Sequence, residues 1–93
     1  MKQFEHLYAP ITVGSMTVRN RIFMAPMSTH LADTQGRVTE ELLAYYAARA
    51  SGGVGYITIP SVLIEKLSRY GTYRNVGLFE EWHVGNLKRL TDT

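Results

Sequence analysis

The chain reads as an α/β protein organised around one strand–helix–strand unit. Two apolar, β-prone runs, Ile22 to Ala25 and Val54 to Ile59, each stop at a proline and pass at once into small polar residues. Between them lies a segment with the apolar spacing and both end signals of an amphipathic helix. A helical connection of this length makes the two strands parallel and the crossover right-handed.

The elements follow from local chemistry. Ile11-Thr12-Val13 and Met16-Thr17-Val18 alternate around Gly14-Ser15, and glycine at the first loop position fits a type II′ hairpin turn. A lone hairpin is marginal in water, so this one is expected to rest on other structure. Arg19-Asn20-Arg21 leads into the first strand, which closes because Pro26 offers no N–H and holds Ala25 extended. A polar loop then runs from Ser28 to Val38, turning at Asp33-Thr34-Gln35-Gly36.

Thr39 is a good N-cap, and Glu40 and Glu41 place negative charge in the first helical turn. Leu42, Leu43, Tyr46, Ala47 and Ala50 form one apolar face, and Ser51-Gly52-Gly53 supplies a left-handed stop. The spacing predicts a helix from about Glu40 to Ser51. Val54 to Ile59 is almost continuously apolar, as suits a parallel strand covered on both faces.

From Ser61 to Phe79 there is no clear period, and Tyr70 to Asn75 reads as irregular loop. Connections this long are often functional. Glu80 to Leu90 has acids early and bases late, as a helix favours, with Trp82 or His83 joining Leu87 and Leu90 on the buried side. Gly85 weakens it by about 1 kcal/mol relative to alanine. Thr91-Asp92-Thr93 carries no capping signal and reads as cut rather than finished. Two strands with helices outside cannot cover a sheet, so further strands are expected from more sequence or from a partner chain.

Composition narrows the class. Apolar content is 45% and charged content 19%, ordinary for a folded chain of one domain. The net charge is +2, with the basic residues spread from Lys2 to Arg89, which argues against a nucleic-acid surface. There is no cysteine, hence no disulfide frame or thiolate chemistry within these residues. The first residues lack the apolar core of a signal peptide, and no run reaches membrane-spanning length, so a soluble, cytoplasmic protein is expected.

The motifs then resemble a known family. Leu7-Tyr8-Ala9-Pro10-Ile11, Val18-Arg19-Asn20-Arg21-Ile22, Met24-Ala25-Pro26-Met27-Ser28, Gly36-Arg37-Val38-Thr39, Tyr45 to Ala50, Gly52-Gly53-Val54-Gly55, Gly77-Leu78-Phe79 and Leu87 to Leu90 look like the opening of the old yellow enzyme family. The likeness leans toward the branch with 2,4-dienoyl-CoA reductase and trimethylamine dehydrogenase. It implies a (β/α)8 TIM barrel that binds FMN and takes hydride from NADH or NADPH. These residues would be about its first quarter, residues 1–93 forming the N-terminal part of a single FMN-binding domain. The hairpin would plug the N-terminal mouth, and the two strands would be barrel strands one and two. Their C-terminal ends are where such barrels carry chemistry.

The resemblance also implies site residues. Backbone around Ala25, Pro26 and Met27 would lie against the flavin ring. Ser28, commonly threonine or cysteine in the family, would hydrogen-bond its N5 and O4 edge, where a hydroxyl donor stabilises the density gained on reduction. Without the resemblance, Ser28 reads as a turn cap. Ser61 would approach the flavin through its backbone, but Pro60-Ser61 replaces the Glu-Ala or Gly-Gly of many relatives and removes an N–H at residue 60. His30, on the same loop as Ser28, matches a position that holds a substrate-facing tyrosine in some relatives. Arg69, Tyr70, Tyr73 and Arg74 would overhang the cofactor and meet an anionic substrate, or remain solvated loop residues. His6 and His83 read as surface or packing residues, and Tyr45 and Tyr46 as helix packing. The catalytic proton donor and any iron–sulfur cluster would come from later sequence, and no metal ligand is assigned among these residues.

Two functions compete at this point. One is the N-terminal segment of an FMN-dependent NAD(P)H oxidoreductase acting on small electron-poor alkenes. The other is a catalytically incompetent piece that persists by self-association, as a homo-oligomer or with missing barrel segments.

Overall fold

A computed structural model describes residues 4–65 and 74–93. The element order is β1 (Ile11–Val13), β2 (Met16–Val18), β3 (Phe23–Met24), α1 (Glu40–Ser51), β4 (Tyr56–Ile57) and α2 (Glu81–Thr91). Arg69, Tyr70 and Tyr73 lie outside the described residues. Among the described residues, no helix is long and apolar enough to cross a membrane.

β1 and β2 pair antiparallel, with Thr12 opposite Thr17. Gly14 has φ +61 and Ser15 does not share the positive region, the pattern that a glycine-first type II′ turn requires. Val18 is the hairpin's buried residue, at 4% exposure, while Val13 and Met16 stay nearly half exposed.

β3 and β4 pair in parallel, Phe23 with Tyr56 and Met24 with Ile57, as the strand–helix–strand pattern requires. The regular ladder is shorter than the apolar runs. Bonds from Gly55 N–H to the Ile22 carbonyl (2.9 Å) and from Thr58 N–H to the Met24 carbonyl (3.4 Å) carry the contact one residue further at each end. Beyond them, Pro26 and Pro60 have no N–H to continue it. The pleat sends Met24 and Ile57 toward the helices, where they pack on the core. Phe23 and Tyr56 go to the other face, their rings stacked 4.9 Å apart, and Phe23 remains 50% exposed.

α1 has the predicted bounds. Thr39 Oγ1 accepts from Leu42 N–H at 3.2 Å, and Thr39 itself donates to the Leu31 carbonyl. The stop falls one residue later than the first glycine: Gly52 is still right-handed at φ −72, and Gly53 takes φ +113. Leu42 and Tyr46 are buried in a core with Ala32, Val38, Val76 and Leu90.

The polar residues before β3 hold the far end of this helix. Arg19 donates to the carbonyls of Ala50 (2.5 Å) and Val54 (2.9 Å), placing a cation at the helix C-terminus. Asn20, 7% exposed, donates to the Gly53 carbonyl at 2.7 Å and accepts from Ile22 N–H at 3.0 Å. Gly55 is obligatory beside it, since a methyl there would come within 2.7 Å of the Asn20 carbonyl.

α2 contributes His83 and Leu90 to the interior, with Leu87 partly buried; Trp82 is 41% exposed. The alternative between Trp82 and His83 is thus resolved for the histidine. Its burial, 0% exposed, is chemically satisfied. Nδ1 accepts from the N–H groups of Glu80 (3.0 Å) and Phe79 (3.3 Å), so the ring proton sits on Nε2, which donates to the Gln35 carbonyl at 3.0 Å. An imidazole therefore takes the reciprocal place that glutamate or glutamine holds in a capping box.

His83 belongs to a wider seam. Gly77 N–H donates to the Gly36 carbonyl (2.9 Å), Ala32 N–H to the Arg74 carbonyl (3.2 Å), and Val38 N–H to Asn86 Oδ1 (2.6 Å). Leu63 and Gly77 form a parallel bridge next to this seam. The loop after β3 is thereby fastened along its distal half to residues 74–86.

Candidate functional site

Both parallel strands deliver their C-terminal ends to one side of the molecule, and the expected site residues sit there. Ala25, Pro26, Met27 and Ser28 are all exposed. Their backbone leaves the ladder at Pro26, so the groups beyond β3 face outward rather than toward a neighbouring strand. Met27 is 54% exposed, an apolar side chain left without cover.

Ser28 and Ser61, 33 residues apart in sequence, meet here, with their hydroxyl oxygens 3.4 Å apart. Ser61 holds φ +43, the left-handed region that L residues other than glycine seldom adopt. His30 (φ +56) and Arg74 (φ +56) share that conformation. These three are the non-glycine residues with positive φ among the described residues, and all lie on the two loops that follow β3 and β4. Backbone strain of this kind costs about 1–3 kcal/mol per residue and gathers where a site imposes its own geometry.

His30 and Arg74 border an open depression of about 300 Å³, with Asp33, Thr39 and Glu41 on its rim. Asp33 is committed locally: its Oδ1 accepts from Gln35 and Arg37 N–H, each at 2.8 Å. Among the described residues, no group of three or more His, Asp or Glu is arranged to hold a metal ion.

The donor set suits the edge of a planar conjugated ring. It offers neutral hydroxyls, accessible backbone and small or unbranched side chains at two adjacent strand ends. Sequence reasoning put forward Ala25 to Ser28 and Ser61 as candidates but not the meeting of the two serine hydroxyls, nor the Asn20 and His83 contacts that hold the surrounding loops. A polar asparagine between two apolar strands, and a histidine three residues after a helix N-cap, were the available signals.

Comparison with known proteins agrees with the fold and motifs. The profile of the NADH:flavin oxidoreductase / NADH oxidase family matches residues 6–93. An NADH oxidase of Thermoanaerobacter brockii is 43% identical over 65 residues, 70% of this chain and 10% of that protein. An NADPH dehydrogenase of Bacillus subtilis is 35% identical over 89 residues, 92% of this chain and 25% of that protein. Among solved structures, a 2-naphthoyl-CoA reductase superposes with TM-score 0.88 at 34% identity, covering 95% of this chain and 13% of its own. The old yellow enzyme of Trypanosoma cruzi superposes with TM-score 0.81 at 28% identity, covering 97% of this chain and 24% of its own. The chain therefore spans a tenth to a quarter of these relatives and takes the α/β fold of the N-terminal part of their barrels. It belongs to the NADH:flavin oxidoreductase / NADH oxidase family, whose cofactors are FMN and a nicotinamide reductant.

Proposed function

We propose that these residues form one wall of the flavin site of an NAD(P)H-dependent oxidoreductase that reduces small, electron-poor alkenes of the enoate or enoyl-thioester type. The observation that carries this reading is the meeting of the Ser28 and Ser61 hydroxyls at the adjacent ends of two parallel strands. Bound FMN supplies hydride acceptance from NADH or NADPH and delivery through its N5.

The chain's own part is to bind, orient and tune. Backbone from Ala25 to Met27 would hold the ring, the exposed strand end leaving room for close approach. The Ser28 hydroxyl donates toward the ring edge that gains density on reduction, which favours the reduced form. Ser61, at φ +43 on the loop after β4, would approach the ring through its backbone. His30 borders the open depression and serves as a hydrogen-bond partner for the substrate, a role suited to a ring with one donor and one acceptor nitrogen. The test is Ser28→Ala in the flavin-loaded full-length protein, with the flavin midpoint potential as readout. The potential falls if Ser28 donates to the ring. An unchanged potential returns Ser28 to a turn cap.

A second reading applies to the 93 residues taken alone. Phe23 and Met27 expose large apolar surface at 50% and 54%, and Leu7, Tyr8 and Val84 are more than 40% exposed. A chain of this kind buries such surface by self-association or against further barrel segments. Light scattering checks this, since a cooperative monomer at micromolar concentration contradicts it.

A further inference from the structure

His30, exposed on the loop after β3, holds a left-handed backbone at φ +56. A residue other than glycine keeps that conformation only where the surrounding structure imposes it. The three backbone groups that follow His30 are all bonded. Leu31 N–H donates to Thr29 Oγ1 (3.4 Å), the Leu31 carbonyl accepts from Thr39 Oγ1, and Ala32 N–H donates to the Arg74 carbonyl (3.2 Å). Thr29 belongs to the same loop and Arg74 to the loop after β4, whereas Thr39 is the N-cap of α1.

Chemistry fixes the direction of both Thr39 bonds. A carbonyl only accepts, so the Thr39 hydroxyl proton goes to Leu31. An amide N–H only donates, so an oxygen lone pair receives Leu42 N–H at 3.2 Å. The second bond caps the helix; the first anchors the loop, and capping does not require it. Leu42 is 2% exposed and Leu31 packs on the same core, so both ends of the link sit on fixed structure. Thr39 also borders the open depression that His30 lines.

We propose that Thr39 is a positioning residue for His30: by donating to the Leu31 carbonyl, it ties the peptide after His30 to the start of α1 and sets where the imidazole stands at the rim of the depression. The inference rests on the reading of His30 as a substrate partner and adds the residue that holds it in place. Misplacement of such a group by about 1 Å is enough to weaken its contact severalfold.

The experiment measures kcat and KM for 2-cyclohexenone, an uncharged electron-poor alkene, with urea unfolding run beside it. It uses the flavin-loaded full-length protein as wild type, Thr39→Ser, Thr39→Asp, His30→Gly and the double variant of the last two. Serine keeps both halves of the hydroxyl. Aspartate is a good N-cap but carries no proton at neutral pH, so it accepts from Leu42 N–H and cannot donate to Leu31. Glycine removes the imidazole and takes φ +56 without strain. Thr39→Asp is expected to lower kcat/KM about threefold to tenfold, the weight of one hydrogen bond, through KM rather than kcat. Its urea midpoint should stay near that of wild type, and Thr39→Ser should keep wild-type kinetics. The loss should vanish in the His30→Gly background, because Thr39 acts only through His30, and this comparison decides even where aspartate lowers stability. An unchanged kcat/KM in Thr39→Asp, or an equal loss from it in the His30→Gly background, overturns the positioning role and leaves the substrate contact of His30 standing. An unchanged kcat/KM in His30→Gly overturns both.

Discussion

Replacing His83 by leucine should destabilise the protein more than any surface substitution on α2. The side chain is fully buried and makes three hydrogen bonds, to Phe79 N–H, Glu80 N–H and the Gln35 carbonyl. Leucine fills comparable volume but answers none of them. Each buried polar group left without a partner costs about 1–3 kcal/mol. The two N–H groups lie at a helix start, where Glu80 is exposed and water can partly replace the imidazole. The Gln35 carbonyl faces Nε2 of the fully buried His83 ring and has less recourse there. A loss of about 2–4 kcal/mol follows, counting one group in full and two in part. Urea unfolding reads it directly, with Trp82 as the fluorescent reporter because its ring centroid lies 3.9 Å from that of His83. The midpoint should fall with an unchanged slope. His83→Gln should recover part of the loss, since its amide both donates and accepts. A loss below about 1 kcal/mol for His83→Leu would refute the argument, because the imidazole would then be filling space rather than satisfying backbone.

Gly36→Ala should be nearly as costly, about 2 kcal/mol or more from the left-handed backbone and crowding together. Gly36 has φ +83, and the added methyl would lie 2.8 Å from Gly77 N, so the thermal midpoint should drop. Asn20→Leu removes the partners of the Gly53 carbonyl and Ile22 N–H, and about 2 kcal/mol should be lost in denaturant titration. Tyr46 gives a pH prediction. Burial, and then the neighbouring Tyr45, raise its pKa above the ordinary 10.0, so the folded state holds the phenol proton more tightly than the unfolded state. Its contribution is complete below pH 10.0 and is lost as pH rises through the higher folded value. Urea midpoints across the alkaline range should fall less steeply in Tyr46→Phe; equal slopes would rule out this source of the pH dependence.

The elements were legible where a short-range rule governs them. The bounds of α1 follow from Thr39, the two glutamates and the double glycine, all within one or two turns of where they act. Gly14 fixed the hairpin in the same way. The strands were legible in position but not in length, because a ladder exists only where a neighbour offers groups to pair. The candidate site divides similarly. Pro26 and Pro60 marked both strand ends, and family-like motifs singled out Ala25 to Ser28. Nothing in the sequence near residue 28 mentions residue 61. The sequence reads His83 as a surface or packing residue, and its packing role depends on the Gln35 carbonyl 48 positions away, which no local pattern marks.

By itself, then, the sequence determined the strand–helix–strand order, the sense of the strands, the capped helix and the family to which its motifs point. Each depends on a residue's own backbone limits or on a period of a few residues. Only the tertiary structure decided which polar groups meet. Asn20 reaches across 33 residues to Gly53, Ser28 across 33 to Ser61, and His83 across 48 to Gln35. A hydrogen bond is specified by the positions of two atoms to within a few tenths of an ångström. Such positions are set by the packing of helix against strand, and no local pattern in the chain encodes them.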